Sequence, residues 1–155
     1  QLVTEAAKMR YLSNGMLSVP MVVRASCGSG LGFGSQHSQT LENWVSATPG
    51  LKVISPSDSQ SAYSLLRAAI QDPDPVMFLE SRVLYAERGP VDTSLKMEIG
   101  KARVLRLGKE ITLVSMGQMV KVCSEAIKIS GIDVELIDLA TIVPWDRQSV
   151  LESVK

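Results

Sequence analysis

Apolar residues along this chain follow two rhythms: short unbroken runs, and patches spaced three and four apart. The runs at 21–23, 51–54 and 76–79 read as buried strands, and runs at 102–107, 111–115 and 134–139 repeat the signal. Between them lie helical faces. Val3, Ala6, Ala7 and Tyr11 form the first, stopped at Asn14-Gly15 because glycine tolerates the left-handed cap. Leu41, Trp44 and Val45 form the second. Ala62, Leu65, Leu66, Ala69 and Ile70 form the third, opened by a capping box of Ser57 and Gln60. It ends at Asp72-Pro73-Asp74-Pro75, since each proline drives its predecessor out of helical geometry. Met119, Val122, Cys123, Ala126 and Ile127 make a fourth face, closed by Gly131. Asp146 caps a last helix carrying Val150, Leu151 and Val154.

Strands alternating with helices imply an α/β protein with mainly parallel sheets. The rhythm fades between 89 and 101. Residues 1–88 are therefore expected to form one unit, 89–101 a linker, and 102–155 the first part of a second. The pattern is already helical at Gln1 and still helical at Lys155, so the chain reads as an internal piece of a longer protein.

Composition narrows the function. With 155 residues the chain holds one domain or two, and 45% hydrophobic content suits a packed core. Sixteen basic and sixteen acidic residues cancel without a run of either sign, which speaks against an electrostatic grip on nucleic acid or an anionic membrane. No apolar stretch reaches the roughly 18 residues of a membrane span. Cys27 and Cys123 share no metal-ligand spacing, and a reduced, intracellular setting is expected.

The candidate chemistry gathers after the first strand, where glycine at 28, 30, 32 and 34 leads to His37, the single histidine. A strand, a glycine loop and a helix start form the usual ligand position of an α/β protein. The loop is not a P-loop, because no lysine with Ser/Thr follows Gly34, and the dinucleotide fingerprint fails because its last place falls on Phe33 or Ser35 instead of glycine or alanine. No Gly-x-Ser-x-Gly elbow is present. Placed at or near a helix N-terminus, His37 would stay neutral and could pass a proton at a reacting carbonyl. Spacing alone favours a histidine bonded to backbone and chemically idle, because no partner motif accompanies it. The corner at 69–74 has free helix-end carbonyls and two carboxylates; it suits an oxygen-liking cation, or is a solvated helix end. Arg24 could meet an anion or form an ion pair at the sheet edge. Glu5, Glu42, Glu80 and Glu98 are scattered, Arg67 and Arg103 read as solvated, and Trp44, Met119 and Trp145 fit core packing.

Gln36-His37-Ser38-Gln39 followed by Pro49-Gly50-Leu51-Lys52-Val53 resembles the β subunits of the decarboxylating component of 2-oxo acid dehydrogenase complexes. The pyruvate members are nearest, with acetoin and branched-chain members close. The likeness runs through Glu5-Ala6-Ala7-Lys8, Val19-Pro20-Met21-Val22-Val23-Arg24, the stretch 66–75, Leu84-Tyr85, and Ile137-Asp138-Leu139-Ala140-Thr141-Ile142-Val143-Pro144-Trp145-Asp146. It implies a doubly wound parallel sheet of the thiamine-diphosphate pyrimidine-binding type, followed by the start of a transketolase C-terminal-type α/β domain. The activity implied is oxidative decarboxylation of a 2-oxo acid with acyl transfer to a lipoyl group. The cofactors implied are thiamine diphosphate with Mg2+, shared with an α subunit, and K+.

By position, His37 matches the family's active-site histidine, credited with proton handling during acyl transfer. Met21, Ala69, Ile70, Asp72 and Asp74 match a potassium site built mainly of backbone oxygens. The residues that bind and activate the cofactor ring, a glutamate among them, are expected upstream of Gln1, which leaves no cofactor-binding residue here and the piece alone inactive. Partners implied are the α subunit, a second β subunit, and the dihydrolipoyl acyltransferase core with its lipoyl domain. The compartment would be a mitochondrial matrix, a plastid or a bacterial cytoplasm. Two departures stand out: Ala140 replaces an arginine common in relatives, and Pro73 replaces a polar residue. Other transketolase-like enzymes and a non-catalytic interaction module remain as alternatives.

Overall fold

The computed structural model describes residues 1–28 and 30–155. Its first sheet is built on β1 (Val22–Cys27), β2 (Lys52–Ile54) and β3 (Val76–Ser81), with β3 in the middle and parallel to both neighbours. Period-two alternation sends their side chains to opposite faces. On one face Val53 and Leu79 join Ala7, Cys27, Val45 and Leu51; on the other Ile54, Val76 and Phe78 join Leu65 and Ala69. Helical segments cover both faces, which is the doubly wound arrangement.

The first face is covered by a 3-10 turn at Ala6–Lys8 running into α1 (Met9–Leu12), and by α3 (Glu42–Ser46); α2 (Gly34–His37) lies between β1 and α3 in the chain. The second face is covered by α4 (Ser59–Gln71), whose Leu65 is fully buried while Ile70 at its far end is 64% exposed. The capping box that opens α4 lies one residue beyond the expected one. Asp58, not Ser57, is the N-cap, accepting from the Ser61 backbone N–H at 2.7 Å, while the Ser61 hydroxyl serves the Asp58 backbone N–H at 3.1 Å. The Ser57 hydroxyl instead donates to Asp138 at 2.6 Å.

Residues 89–101, the expected linker, lie against α4. The Gln60 side chain clasps the Asp92 backbone through Nε2 to O at 3.1 Å and N–H to Oε1 at 2.7 Å, and Met97 and Ile99 pack on the α4 cluster. The second sheet follows: β4 (Arg103–Arg106) antiparallel to β6 (Val134–Asp138), and β5 (Ile111–Ser115) parallel to it. α5 (Met119–Ser130) lays Val120 and Ile127 on this sheet and ends at Gly131, whose φ of 70° is the left-handed cap. α6 (Arg147–Ser153) starts under Asp146, which accepts from the Ser149 backbone N–H at 3.2 Å.

A strand absent from the sequence expectations, β7 (Thr141–Val143), leaves the second half and pairs antiparallel with β2 at the edge of the first sheet. The two halves are also joined by charge. Arg103, expected in solvent, reaches Asp138 at 2.6 Å and Asp58 at 3.0 Å, and Asp138 is completely buried. Such a pair is costly to desolvate, and its geometry must repay that cost. The Ser57 hydroxyl and the Ala140 N–H, the latter at 3.0 Å, also donate to this carboxylate. Trp44, Met119 and Trp145, expected in the core, are 64%, 48% and 46% exposed.

Candidate functional site

The site forms at the carboxyl end of β1. After Cys27 the chain turns at Gly28, whose N–H donates to the Gln39 carbonyl at 3.1 Å. That bond draws residues 37–39 back against the strand they have just left. Between the two lie the glycine turn and α2, a single turn that His37 closes. The structure thus corrects the position expected for His37: it ends a short helix instead of starting one, and the N-terminal dipole argument does not apply to it. Its imidazole is exposed on the wall of a cavity of about 180 Å³, shared with Gln36, Gln39, Leu41, Trp44 and Arg82. The Ser38 hydroxyl next to it is buried with no hydrogen-bond partner among the described residues.

Arg82 follows β3 in the chain, opening a 3-10 turn at Arg82–Leu84. Its guanidinium donates to the His37 carbonyl at 3.3 Å and the Ser26 hydroxyl at 3.0 Å, and stands 5.7 Å from the Phe33 ring centroid. The sequence gives no sign of this role, because the contact joins residues 45 positions apart.

A larger cleft of about 450 Å³ opens between the two sheets, lined by Thr40, Glu42, Ser55, Ser81 and Ser115 among others. The chain from 39 to 42 separates the two spaces: Gln39 and Leu41 line the smaller, Thr40 and Glu42 the larger, and Cys27 borders both. A cysteine beside a histidine suggests a thiolate nucleophile. Here burial first, and the Glu42 carboxylate second, push the Cys27 thiol up to about 11. It remains a thiol at neutral pH, and the pair has no thiolate chemistry to offer.

Arg24 takes the ion-pair reading, gripping Glu80 at 2.7 and 3.0 Å, with the Tyr85 hydroxyl completing the carboxylate at 2.9 Å. At the helix corner, the carboxylates expected near a cation are already neutralised from within. Lys52 holds Asp72 at 2.6 and 2.7 Å and approaches Asp74 at 3.4 Å, while Arg10 also binds Asp74. Burial alone would push the Asp74 carboxyl up, but these two cations outweigh it and hold it below the usual range. Two positive and two negative side chains leave no surplus charge, and only main-chain oxygens remain to ligate an ion. The Met21 carbonyl accepts from Val76 N–H at 2.8 Å and that of Ala69 from Asp72 N–H at 3.2 Å, so each keeps one lone pair. Among the described residues no group of three or more His, Cys, Asp or Glu side chains is placed to hold a metal.

Comparison with known proteins agrees with this architecture. Residues 2–88 match the model for "Transketolase, pyrimidine binding domain", and 100–155 that for "Transketolase, C-terminal domain". The chain is 45% identical to the pyruvate dehydrogenase E1 component subunit beta of Acholeplasma laidlawii, over 99% of this chain and 49% of that protein. It is 41% identical to the mitochondrial subunit beta-1 of Arabidopsis thaliana, over 99% of this chain and 45% of that one. The chain therefore spans just under half the length of these curated relatives. A split-gene transketolase solved as an inactive beta4 tetramer superposes with a TM-score of 0.71 at 22% identity, over 96% of this chain and 50% of that one, and attests the fold.

Proposed function

The chain belongs to the transketolase family through its pyrimidine-binding and C-terminal domains, and from that membership we propose that it is part of the β subunit of a thiamine-diphosphate-dependent pyruvate dehydrogenase. The observation that carries the reading is the 41–45% identity to pyruvate dehydrogenase β subunits across 99% of this chain. The exposed imidazole of His37, at a cavity on the carboxyl end of parallel strands, supports it.

Thiamine diphosphate, when bound, supplies the carbanion that adds to the 2-oxo acid and accepts the electrons left as CO2 departs. The described residues fit a place beside that group rather than around it. Gly28 sits directly against the His37 carbonyl, so the end of the loop brings His37 back to β1. The orphaned Ser38 hydroxyl and the open face of His37 suit a site completed by a neighbouring chain and by residues upstream.

The work assigned to this chain is proton handling. When the lipoyl disulfide opens, one sulfur takes the acyl group and the other must take a proton. The protonated His37 ring at the cavity wall would supply that proton, and the neutral imidazole left behind would take up another to complete the cycle. K+ at the corner, held by carbonyl oxygens of Met21, Ala69, Ile70, Asp72 and Asp74, would fix the end of α4 against β1. The α subunit, a second β subunit and the acyltransferase core with its lipoyl domain are the proposed partners. Tyr11, Leu12, Met16 and Leu17, exposed by 87%, 71%, 82% and 55%, offer apolar area for one of them. Relatives include a mitochondrial and a bacterial form, and no helix among the described residues is long and apolar enough to cross a membrane; a mitochondrial matrix, plastid or bacterial cytoplasm is the proposed location.

The test is assembly of the full-length chain with its α partner and measurement of CO2 release. Release from pyruvate that requires thiamine diphosphate is expected. Preference for a branched 2-oxo acid or acetoin, or no release with α present, overturns the proposal.

A further inference from the structure

We infer that Arg82 is the positioning residue of the His37 loop, an inference that rests on the role of His37 given above. The loop has little to hold itself in place. Gly30, Gly32 and Gly34 sit at φ of 89°, 67° and 78°, conformations that glycine reaches freely, so the segment loses much entropy on ordering. The helix that ends in His37 is four residues long, far below the length at which a helix is stable unaided. Its imidazole is exposed, so packing does not fix the ring.

Arg82 supplies what the loop lacks. Its root is held by the sheet: Glu80 and Ser81, the two residues before it, pair in register with Ser26 and Cys27 at the carboxyl ends of β3 and β1. From there one guanidinium spans three points. It binds the Ser26 hydroxyl on the strand, faces the Phe33 ring just before α2, and donates to the His37 carbonyl at the end of α2. The short helix is thereby tied at both ends to the strand it came from. No carboxylate forms an ion pair with Arg82 among the described residues, so its donors are left for these acceptors. The planar fork serves two acceptors in different directions, which a lysine ammonium at one point does not reproduce.

The test uses the full-length chain in its assembly, with Arg82→Ala, Arg82→Lys and His37→Ala. Amide hydrogen exchange is followed over residues 30–40. Acylation of free lipoamide is compared with decarboxylation coupled to an artificial electron acceptor. Arg82→Ala is expected to speed exchange in that segment by about tenfold or more while α4 is unchanged. It lowers kcat for lipoamide acylation roughly 10–100-fold with KM nearly constant, and leaves the dye-coupled rate largely intact. Arg82→Lys recovers part of both losses, and carries the test alone if the alanine variant does not fold. Unchanged exchange over 30–40 overturns the inference whatever the rates. Faster exchange with normal acylation in both Arg82→Ala and His37→Ala upholds Arg82 as the anchor and removes the proposed role of His37.

Discussion

The α-carbon of Gly28 lies so close to the carbonyl of His37 that a methyl group there would stand 1.6 Å from the oxygen and 2.9 Å from the Ser38 α-carbon. Both obstacles are backbone, so nothing yields by rotating a side chain. The Gly28 to Gln39 hydrogen bond depends on this approach. Gly28→Ala is predicted to push residues 37–39 off β1, costing about 1–3 kcal/mol in denaturant unfolding. Acyl transfer should fall further than that stability loss explains, because His37 moves with the displaced segment. A variant with wild-type stability and acyl transfer contradicts this geometry.

The charge cluster joining the halves gives a second prediction. Removing one member leaves a buried charge alone, so Arg103→Met should destabilise the protein by about 3–5 kcal/mol. Adding Asp138→Asn, which removes the stranded charge, should recover part of it. The same cluster is sensitive to acid. Burial pushes the Asp58 carboxyl up, but bonds from the Ser61 hydroxyl and backbone, with Arg103, outweigh it and hold it below the ordinary range. A depressed folded value contributes stability above the unfolded value of about 4, lost as pH falls through the folded one. Melting temperature should thus drop below about pH 4, and less steeply in Asp58→Asn.

How much of this was legible in the sequence depends on how local each cause is. The apolar runs of β2 and β3 place buried residues on both faces of the sheet, and α4 carries its own cap and proline stop, so these are legible. Ser57 and Asp58 are adjacent capable caps; only the fold shows that Ser57 is taken by Asp138. β7 has three residues and follows Ala140, which sits at a φ of 51°; its partner is β2, some ninety positions earlier, and nothing local announces it. Periodicity marked a face for Trp44 but not what would cover it. His37 was found as the lone histidine after a glycine loop, yet Gly34-Ser35-Gln36-His37 has no apolar rhythm to reveal the helix it ends. Arg82 and Arg103 could not be assigned, because their partners lie tens of residues away.

Cys27 gives a third prediction. With its thiol at about 11, the thiolate at neutral pH is roughly a hundredfold scarcer than for an ordinary cysteine. Iodoacetamide at pH 7.5 should leave Cys27 unmodified in the native protein and label it after unfolding, read by peptide mass. Cys27→Ser should retain acyl transfer. Rapid native labelling would show that the thiol is activated.

The cation corner gives a fourth. A site made of main-chain oxygens binds only the folded chain, so potassium at about ten times its Kd should stabilise the full-length protein by about 1.4 kcal/mol. The shift should be absent in tetramethylammonium chloride at equal ionic strength. Equal melting in the two salts contradicts the site.

The proton role of His37 is tested most directly by separating the two half-reactions in the assembled full-length protein. His37→Ala should leave thiamine-dependent decarboxylation of pyruvate to a dye acceptor within about threefold, while acylation of the lipoyl domain falls by roughly 100-fold or more, the range of a lost general acid. Lipoyl acylation at the wild-type rate in that variant would contradict the account.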